Sequence, residues 1–377
     1  MTKEIPFFVQ PIEAKSFDNM SDILDRDTSS VEKLERTFKK YIGSKYAIAV
    51  TNSSSAIHLA LCALDLKRGD KILCSVNSFV GIPEGVRHFD SEPIFVDCLE
   101  DSYTIDLDKL EIAIELNQSK KLKAVIVNHL AGNDIDLDRL YAIAKEHKIK
   151  VIEDATDAMG KEYNGNKIGN TGADITIFSF APHMSNPLVN GAMFVTNGEL
   201  LYERAKILKN HCILDEDWNT YGKIEYLYNV IDVGWEYNMS EAEAYLALKI
   251  FENVDKNISR VQEIASIYNE KLANIKGLKR PNSENKEFWS QYIVEIDKNR
   301  DHFAKKLKNR GISIALHYVP LHLLDYYKKK YSIKVFDFPV SLGIYQKVMS
   351  LPIYPSMSNE DVDMVCEIIN EVASEHI

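Results

Sequence analysis

Acidic, hydroxyl and imidazole side chains lie near the ends of apolar segments between residues 151 and 197 of this chain. Asp154 ends the run VIED, Ser179 lies near the end of ITIFSF, and His183 follows four residues later. A carboxylate at the end of a buried strand needs a charged or hydrogen-bonding partner, because burial without one is costly. The pattern therefore predicts that Asp154 binds a polar ligand, with a helix cap as the alternative.

A second polar segment consists of Ser53, Ser54 and Ser55, between a short apolar strand and the start of a helix. Free backbone N–H groups and the helix dipole favour a phosphate at such a terminus. These serines are therefore candidates for binding a phosphate, and a plain serine helix cap is the alternative.

Short apolar strands alternate with amphipathic helices over the first two thirds of the chain. The predicted strands are Tyr46–Val50, Lys71–Cys74, Glu92–Val96, Ala124–Asn128, Val151–Glu153 and Ile175–Phe180, and the predicted helices include Ser30–Ile42, Ser54–Leu64 and Asp136–His147. This alternation predicts a large α/β domain with a mainly parallel sheet that is covered on both faces.

The pattern changes to long helices from Glu241 onward. The predicted elements after these helices are a strand at Trp289–Ile296, a helix at Asp301–Asn309, a strand at Ile312–Tyr318 and a closing helix at Asp361–Val372. We therefore expect residues 1–240 to form the large α/β domain with an N-terminal arm. Residues 241–377 are expected to form a linking helix and a small α+β domain.

Composition excludes several classes of protein. The net charge of -11 over 377 residues argues against a nucleic-acid binder, whose surface is basic. The five cysteines are scattered without a metal-binding or paired spacing, which suits reduced thiols in a cytoplasm. No apolar run is long enough to span a membrane. We expect a soluble cytoplasmic protein.

Seven segments in order carry a resemblance to a known family. They are AVTNSSSAIHLALCAL, KRGDKILCSVNSFVGI, EPIFVD, VIEDATDAMGKEYNGNKIGNTGADITIFSF, GWEYNMSEAEAYLAL, GISIALHYVPLH and MSLPIYPSMS. With these segments the chain resembles the DegT/DnrJ/EryC1/StrS family, sugar aminotransferases of fold type I that depend on pyridoxal phosphate (PLP). The resemblance implies an aspartate-aminotransferase-like fold, a nucleotide-linked keto sugar as substrate, and a role in making unusual sugars for surface glycans. It also implies a homodimer in which each site uses two subunits.

The resemblance also implies roles for individual residues. Ser53, Ser54, Ser55 and Ser179 would contact the cofactor phosphate, Phe79 would stack on the pyridine ring, and Asp154 would face the ring nitrogen. Asp157 takes the place of a glutamine near the ring hydroxyl. Asn238 belongs to a segment that reaches the neighbouring subunit's site, and His317 and Tyr318 match a signature near the substrate. A core phenylalanine and a structural histidine are the alternatives for Phe79 and His317.

The position of the family's Schiff-base lysine is occupied by Met184, six residues after Phe178. A thioether can neither form an imine nor move a proton. Three accounts follow. The chain holds PLP or its amine form, PMP, without a covalent link; or it is a PMP-dependent sugar dehydratase that uses the adjacent His183 as base; or it is a non-catalytic relative that binds a sugar nucleotide or a partner.

Overall fold

The computed structural model describes residues 3–24, 29–183, 187–214, 229–283 and 286–376. Met184 lies outside the described residues. No helix in the described ranges is both long enough and apolar enough to cross a membrane.

The helices and strands alternate as the sequence predicts. The helices are α1 Ser30–Ile42, α2 Ser53–Ala63, α3 Gly81–Arg87, α4 Leu107–Asn117, α5 Leu137–His147, α6 Glu199–Leu208, α7 Glu241–Phe251, α8 Val254–Lys271, α9 Arg300–Asn309, α10 Asp325–Tyr331, α11 Pro339–Tyr345 and α12 Asn359–His376. The strands are β1 Tyr46–Val50, β2 Lys71–Ser75, β3 Glu92–Val96, β4 Leu122–Asn128, β5 Lys150–Asp154, β6 Glu162–Tyr163, β7 Asn166–Lys167, β8 Ile175–Ser179, β9 Ala192–Thr196, β10 Leu278–Lys279, β11 Tyr292–Ile296 and β12 Val348–Leu351.

Helix α1 shows why these residues form these elements. Its apolar side chains Leu34, Phe38 and Ile42 recur at helical spacing and are buried. The Ser29 side chain caps the helix by accepting a hydrogen bond from the backbone N–H of Glu32, and Gly43 ends it in the left-handed conformation.

A seven-stranded sheet organises the larger part of the chain, in the order β1-β9-β8-β5-β4-β2-β3. Every pair in it is parallel except the two pairs made by β9, which runs antiparallel to both of its neighbours. Strands β8 and β9 are buried along their whole length, as expected of a sheet covered on both faces. The predicted α/β fold is confirmed, and β9 is a strand that the sequence reasoning did not predict.

A second sheet of three antiparallel strands, β10-β11-β12, lies near the C-terminus. Its core includes side chains from α8, α9 and α12, such as Ile264, Leu307 and Val365. Ile5 lies in this same core, and its backbone N–H donates to the carbonyl of Gly311. The start of the chain therefore packs with the C-terminal sheet. The domain boundary at residues 240 and 241 stays a prediction.

The predicted strand Ile312–Tyr318 is wrong. This segment makes only isolated bridges in the described structure, Ile312 with Ile5 and Ala315 with Ser350. Beyond them the chain turns to the large sheet, where the N–H of Tyr318 donates to the Asn77 side chain and the N–H of Leu321 donates to the Val76 carbonyl. The apolar pattern resembles a strand, but these contacts leave no continuous partner for one.

Candidate active site

The large sheet brings the predicted site residues to one edge. Strands β1, β2, β4, β5 and β8 all run in the same direction, so their carboxyl ends meet there. The residues that follow those ends are Ser53, Ser54 and Ser55 after β1, Phe79 after β2, His129 after β4, Asp154 and Asp157 at and after β5, and Ser179 and His183 at and after β8. In open α/β sheets this edge is where ligands bind.

A narrow cavity of about 220 Å³, part of it open to solvent, lies at this edge. It is lined by Phe79, Asn128, His129, Leu130, Asp154, Thr156, Asp157 and Tyr318. The fold thus brings together four of the predicted site residues. Phe79 is 53% exposed, so one wall of the cavity is an aromatic ring that is free to pack against a ligand.

Asp154 has an incompletely paired carboxyl group. Both hydrogen bonds found for it in the described structure come from Thr156, at 2.6 Å from the hydroxyl and 3.2 Å from the backbone N–H, and both reach Oδ1. Burial raises the pKa of Asp154 above its ordinary value, and the neighbouring charge of Asp157 adds to that. A cationic ring nitrogen in the cavity would supply the missing partner.

The N-terminus of α2 is capped by Asn52, whose side chain accepts a 2.8 Å hydrogen bond from the N–H of Ser55. The plain serine cap is therefore wrong. Helix geometry leaves the N–H groups of the first turn without intrahelical partners, so those of Ser53 and Ser54 stay available to an anion. Ser179 is buried at the end of β8, and its Oγ accepts from the N–H of Ala181 at 3.1 Å.

Asp157 and His183 form a buried pair. Nε2 of His183 lies 2.7 Å from Oδ1 of Asp157, while Oδ2 accepts hydrogen bonds from the Ala131 N–H at 3.0 Å and the Gln291 amide at 2.7 Å. Burial alone would raise the pKa of Asp157, but the charge and hydrogen bond of His183 outweigh it and hold the pKa below its usual value. The carboxylate therefore stays ionised and fixes the His183 ring.

His317 and Tyr318 approach this pair from the C-terminal part of the chain. The ring centroids of His317 and His183 are 4.6 Å apart, and Nδ1 of His317 lies 2.9 Å from the Ser350 hydroxyl. Burial lowers the pKa of His317 to about 3, so its ring is neutral. Burial raises the pKa of Tyr318, and the charges of Asp157 and Asp154 add to the effect.

Asn238 lies apart from the cavity. It forms an antiparallel bridge with Val50 at the end of β1, its side chain donates to Asn210 at 3.2 Å, and it is exposed. Its contact with a neighbouring subunit stays a prediction.

Three polar residues near the cavity escaped the sequence reasoning. His129 directly follows the apolar strand β4, the same signal that pointed to Asp154. Glu153 precedes Asp154 inside a strand, and the sequence does not show which residue pairs with such an acid. Gln291 contacts Asp157 across 134 positions, and no local pattern marks such a contact.

The donor set suits an organic cofactor with a ring and a phosphate better than a metal. An unpaired acid, an aromatic wall and a helix N-terminus fit a protonated pyridine ring that bears a phosphate. The described residues contain no group of three or more His, Cys, Asp or Glu side chains that could hold a metal ion.

The chain is similar to known proteins over nearly its whole length. The model of the DegT/DnrJ/EryC1/StrS aminotransferase family matches residues 14–370. The chain is 32% identical over 351 residues to the spore coat polysaccharide biosynthesis protein SpsC of Bacillus subtilis, covering 91% of this chain and 89% of that protein. It is 30% identical over 383 residues to GDP-perosamine synthase of Escherichia coli O157:H7, covering 99% and 100%.

The fold is that of solved sugar aminotransferases. Spr1654 of Streptococcus pneumoniae, assigned as a sugar aminotransferase and solved in a PMP form, superposes with a TM-score of 0.89 over 99% of this chain and 100% of that chain, at 22% identity. The fold-type I architecture is confirmed. From its sequence and its fold together, this chain belongs to the DegT/DnrJ/EryC1/StrS aminotransferase family.

Proposed function

We propose that this protein holds PLP or PMP without a covalent link and acts on a nucleotide-linked keto sugar during the synthesis of a surface glycan. The observation that carries the proposal is the half-buried Asp154, whose second carboxyl oxygen has no hydrogen bond from the described residues, in a cavity that Phe79 also lines. Relatives named for polysaccharide biosynthesis and for GDP-perosamine synthesis support the sugar substrate. The PLP and PMP forms of Spr1654 support the cofactor.

Each side chain has a defined part in this proposal. Asp154 binds the protonated ring nitrogen, Phe79 packs on the ring, and the N–H groups of Ser53 and Ser54 bind the phosphate together with the hydroxyls of Ser55 and Ser179. When bound, the cofactor supplies an electron sink for bond changes beside a sugar carbonyl.

Lys161 does not replace the lysine that is missing at position 184. Nζ of Lys161 is held by the carbonyls of Gly132 and Asn133 at 2.7 and 3.0 Å and by Asp134 at 2.6 Å. An amine with all three donors engaged cannot react with a carbonyl. Proton movement at the substrate therefore has to use a group other than Lys161.

The test is a titration of the purified apo protein with PLP and with PMP, followed by absorbance and by thermal stability. We expect both to bind and to raise the melting temperature. Borohydride should leave the protein mass unchanged, whereas Met184→Lys should be fixed to PLP. Leu200→Lys, at a position 87% exposed, controls for nonspecific reaction. If neither compound binds, the proposal is wrong and the chain is a non-catalytic relative.

A second candidate function is that of a PMP-dependent keto-sugar dehydratase with His183 as base. The buried Asp157–His183 pair favours it, because a carboxylate that holds Nε2–H leaves Nδ1 as the proton acceptor. His183→Asn should abolish turnover of a 4-keto sugar nucleotide, and His147→Asn, at the end of α5, should leave it unchanged.

The single His183 variant also leaves Asp157 without a buried hydrogen-bonding partner, at a cost of about 1–3 kcal/mol in stability. The pair Asp157→Asn/His183→Asn should recover stability but not turnover. Full turnover in a folded His183→Asn protein would remove His183 from the mechanism.

A cytoplasmic location and a homodimer complete the proposal. Asn238 would contact the cofactor site of the second subunit, and His317 and Tyr318 would contact the sugar.

A further inference from the structure

Glu153 is an acid in the middle of the large sheet. It lies on β5 between Val127 of β4 and Thr176 of β8, and its exposed fraction is 0%. An ionised carboxylate in such a place is strongly destabilising unless hydrogen bonds satisfy it. Two side chains do so: the Tyr141 hydroxyl on α5 donates to Oε1, and Nε2 of His129 lies 3.2 Å from Oε2.

The proton positions in this chain of contacts follow from valence. An ionised carboxylate only accepts, so Tyr141 and Nε2–H of His129 both donate to Glu153. The Tyr141 oxygen, 2.7 Å from the Thr171 hydroxyl, then accepts from it. The ring of His129 is thereby held in one orientation.

The second ring nitrogen of His129, Nδ1, is buried and has no hydrogen-bond partner in the described structure. The residue is 2% exposed and lines the cavity that Asp154, Phe79 and Tyr318 also line. The backbone N–H of His129 donates to the Asp154 carbonyl at 3.0 Å, so the two residues are fixed side by side. An unpaired buried nitrogen destabilises the free protein, and a ligand that pairs with it recovers that loss.

We propose that His129 is a further binding residue of the cavity, with Nδ1 pairing with a polar group of the ring ligand, and that Glu153 and Tyr141 are its positioning residues. The inference rests on the proposed function, which supplies a pyridoxal-type ligand.

The experiment compares Tyr141→Phe with Tyr268→Phe. Tyr268 is a buried tyrosine in the second core whose hydroxyl donates to the Pro352 carbonyl at 2.7 Å. Tyr141→Phe loses the hydrogen bonds to Glu153 and Thr171, and Tyr268→Phe loses the one to Pro352, so both variants should melt at a lower temperature than the wild type. Only Tyr141→Phe should weaken PLP and pyridoxal binding, by about tenfold, and shift the absorption band of bound PLP. Binding of inorganic phosphate should not change in either.

His129→Asn and Glu153→Gln extend the test, and Glu153→Gln preserves folding because it avoids an unpaired buried charge. Equal PLP affinity and an identical absorption band in Tyr141→Phe, Glu153→Gln and wild type would overturn the inference while leaving the proposed function intact. If the wild type binds neither PLP nor PMP, both proposals fall together.

Discussion

Three carboxylates near the end of β5 differ in how they are paired. Glu153 is satisfied by Tyr141 and His129, and Asp157 is satisfied by His183, Ala131 and Gln291. Asp154 receives hydrogen bonds only from its own turn in the described structure. Asp154 is half-buried, and its partial burial destabilises the ionised acid, so a cationic ligand that pairs with it would recover that loss.

The pH dependence of stability tests this interpretation of Asp154. Its pKa in the folded protein is raised above the ordinary value of 3.8, so ionisation destabilises the fold as the pH rises through this interval. Apo Asp154→Asn should therefore melt at a higher temperature than wild type at pH 7, and the difference should shrink toward pH 4. PLP affinity should fall by about 1.5–3 kcal/mol, because a hydrogen bond to a charged group is lost.

Asp97→Asn is the matched control for Asp154→Asn. Asp97 is buried, and its carboxylate accepts hydrogen bonds from the Ser341 N–H at 3.0 Å and from Lys109 at 3.2 Å. These partners outweigh burial and lower the pKa of Asp97. The stabilisation that its carboxylate gives to the fold is therefore present at neutral pH and is lost on acidification. Asp97→Asn should destabilise the protein at pH 7 without affecting PLP. If both variants lower the melting temperature equally, the proposed role of Asp154 is contradicted.

At the scale of elements, we expect helix α2 and the strand ends to contact different parts of the cofactor. In the proposed function, the strand ends would present side chains to the ring, whereas α2 would present backbone N–H groups to the phosphate. The Asn52 side chain caps the N–H of Ser55, so the N–H groups of the first two helical residues stay available to an anion.

Ser54→Glu tests the phosphate site of α2. A carboxylate in the first turn favours the helix by about 0.3–1 kcal/mol but repels and displaces a phosphate. We expect PLP to bind at least about tenfold more weakly in Ser54→Glu, while pyridoxal, which lacks the phosphate, binds as in wild type. Leu200→Glu adds the same charge to the first turn of α6 and should leave both affinities unchanged. Equal loss for PLP and pyridoxal would argue against phosphate binding at this terminus.

At the scale of the whole molecule, apolar side chains are exposed just before Asn238. Val230, Ile231, Val233 and Trp235 are 50%, 55%, 78% and 39% exposed. A run of exposed apolar residues favours a protein interface, and its position beside the end of β1 suits the proposed homodimer.

Val233→Glu should weaken this dimer because a charge would be buried at the interface. Analytical ultracentrifugation should give the wild type twice the chain mass of 43.0 kDa and the variant a larger monomer fraction. Phe336→Glu, at a residue 80% exposed on another part of the surface, should behave as wild type. A monomeric wild type would contradict the homodimer.

The local pattern of apolar residues was sufficient to predict most of the helices and strands. Helix α1 and strands β1 and β3 have the predicted bounds, because helical spacing and short apolar runs are properties of adjacent residues. The errors lie in segments whose structure depends on contacts with residues that are distant in the sequence. The segment Ile312–Tyr318 is apolar enough for a strand, yet its contacts with Ile5, Ser350 and Asn77 leave it irregular.

The amino-acid sequence by itself determined the fold class and the family and indicated the candidate site, because periodicity and ordered motifs are properties of neighbouring residues. The pairing of the acids was decided only by tertiary structure. His183 with Asp157, His129 with Glu153, and the unpaired oxygen of Asp154 depend on strands and loops separated by tens of residues. Charges and hydrogen bonds act through space, so only the folded chain shows which acid is left for a ligand.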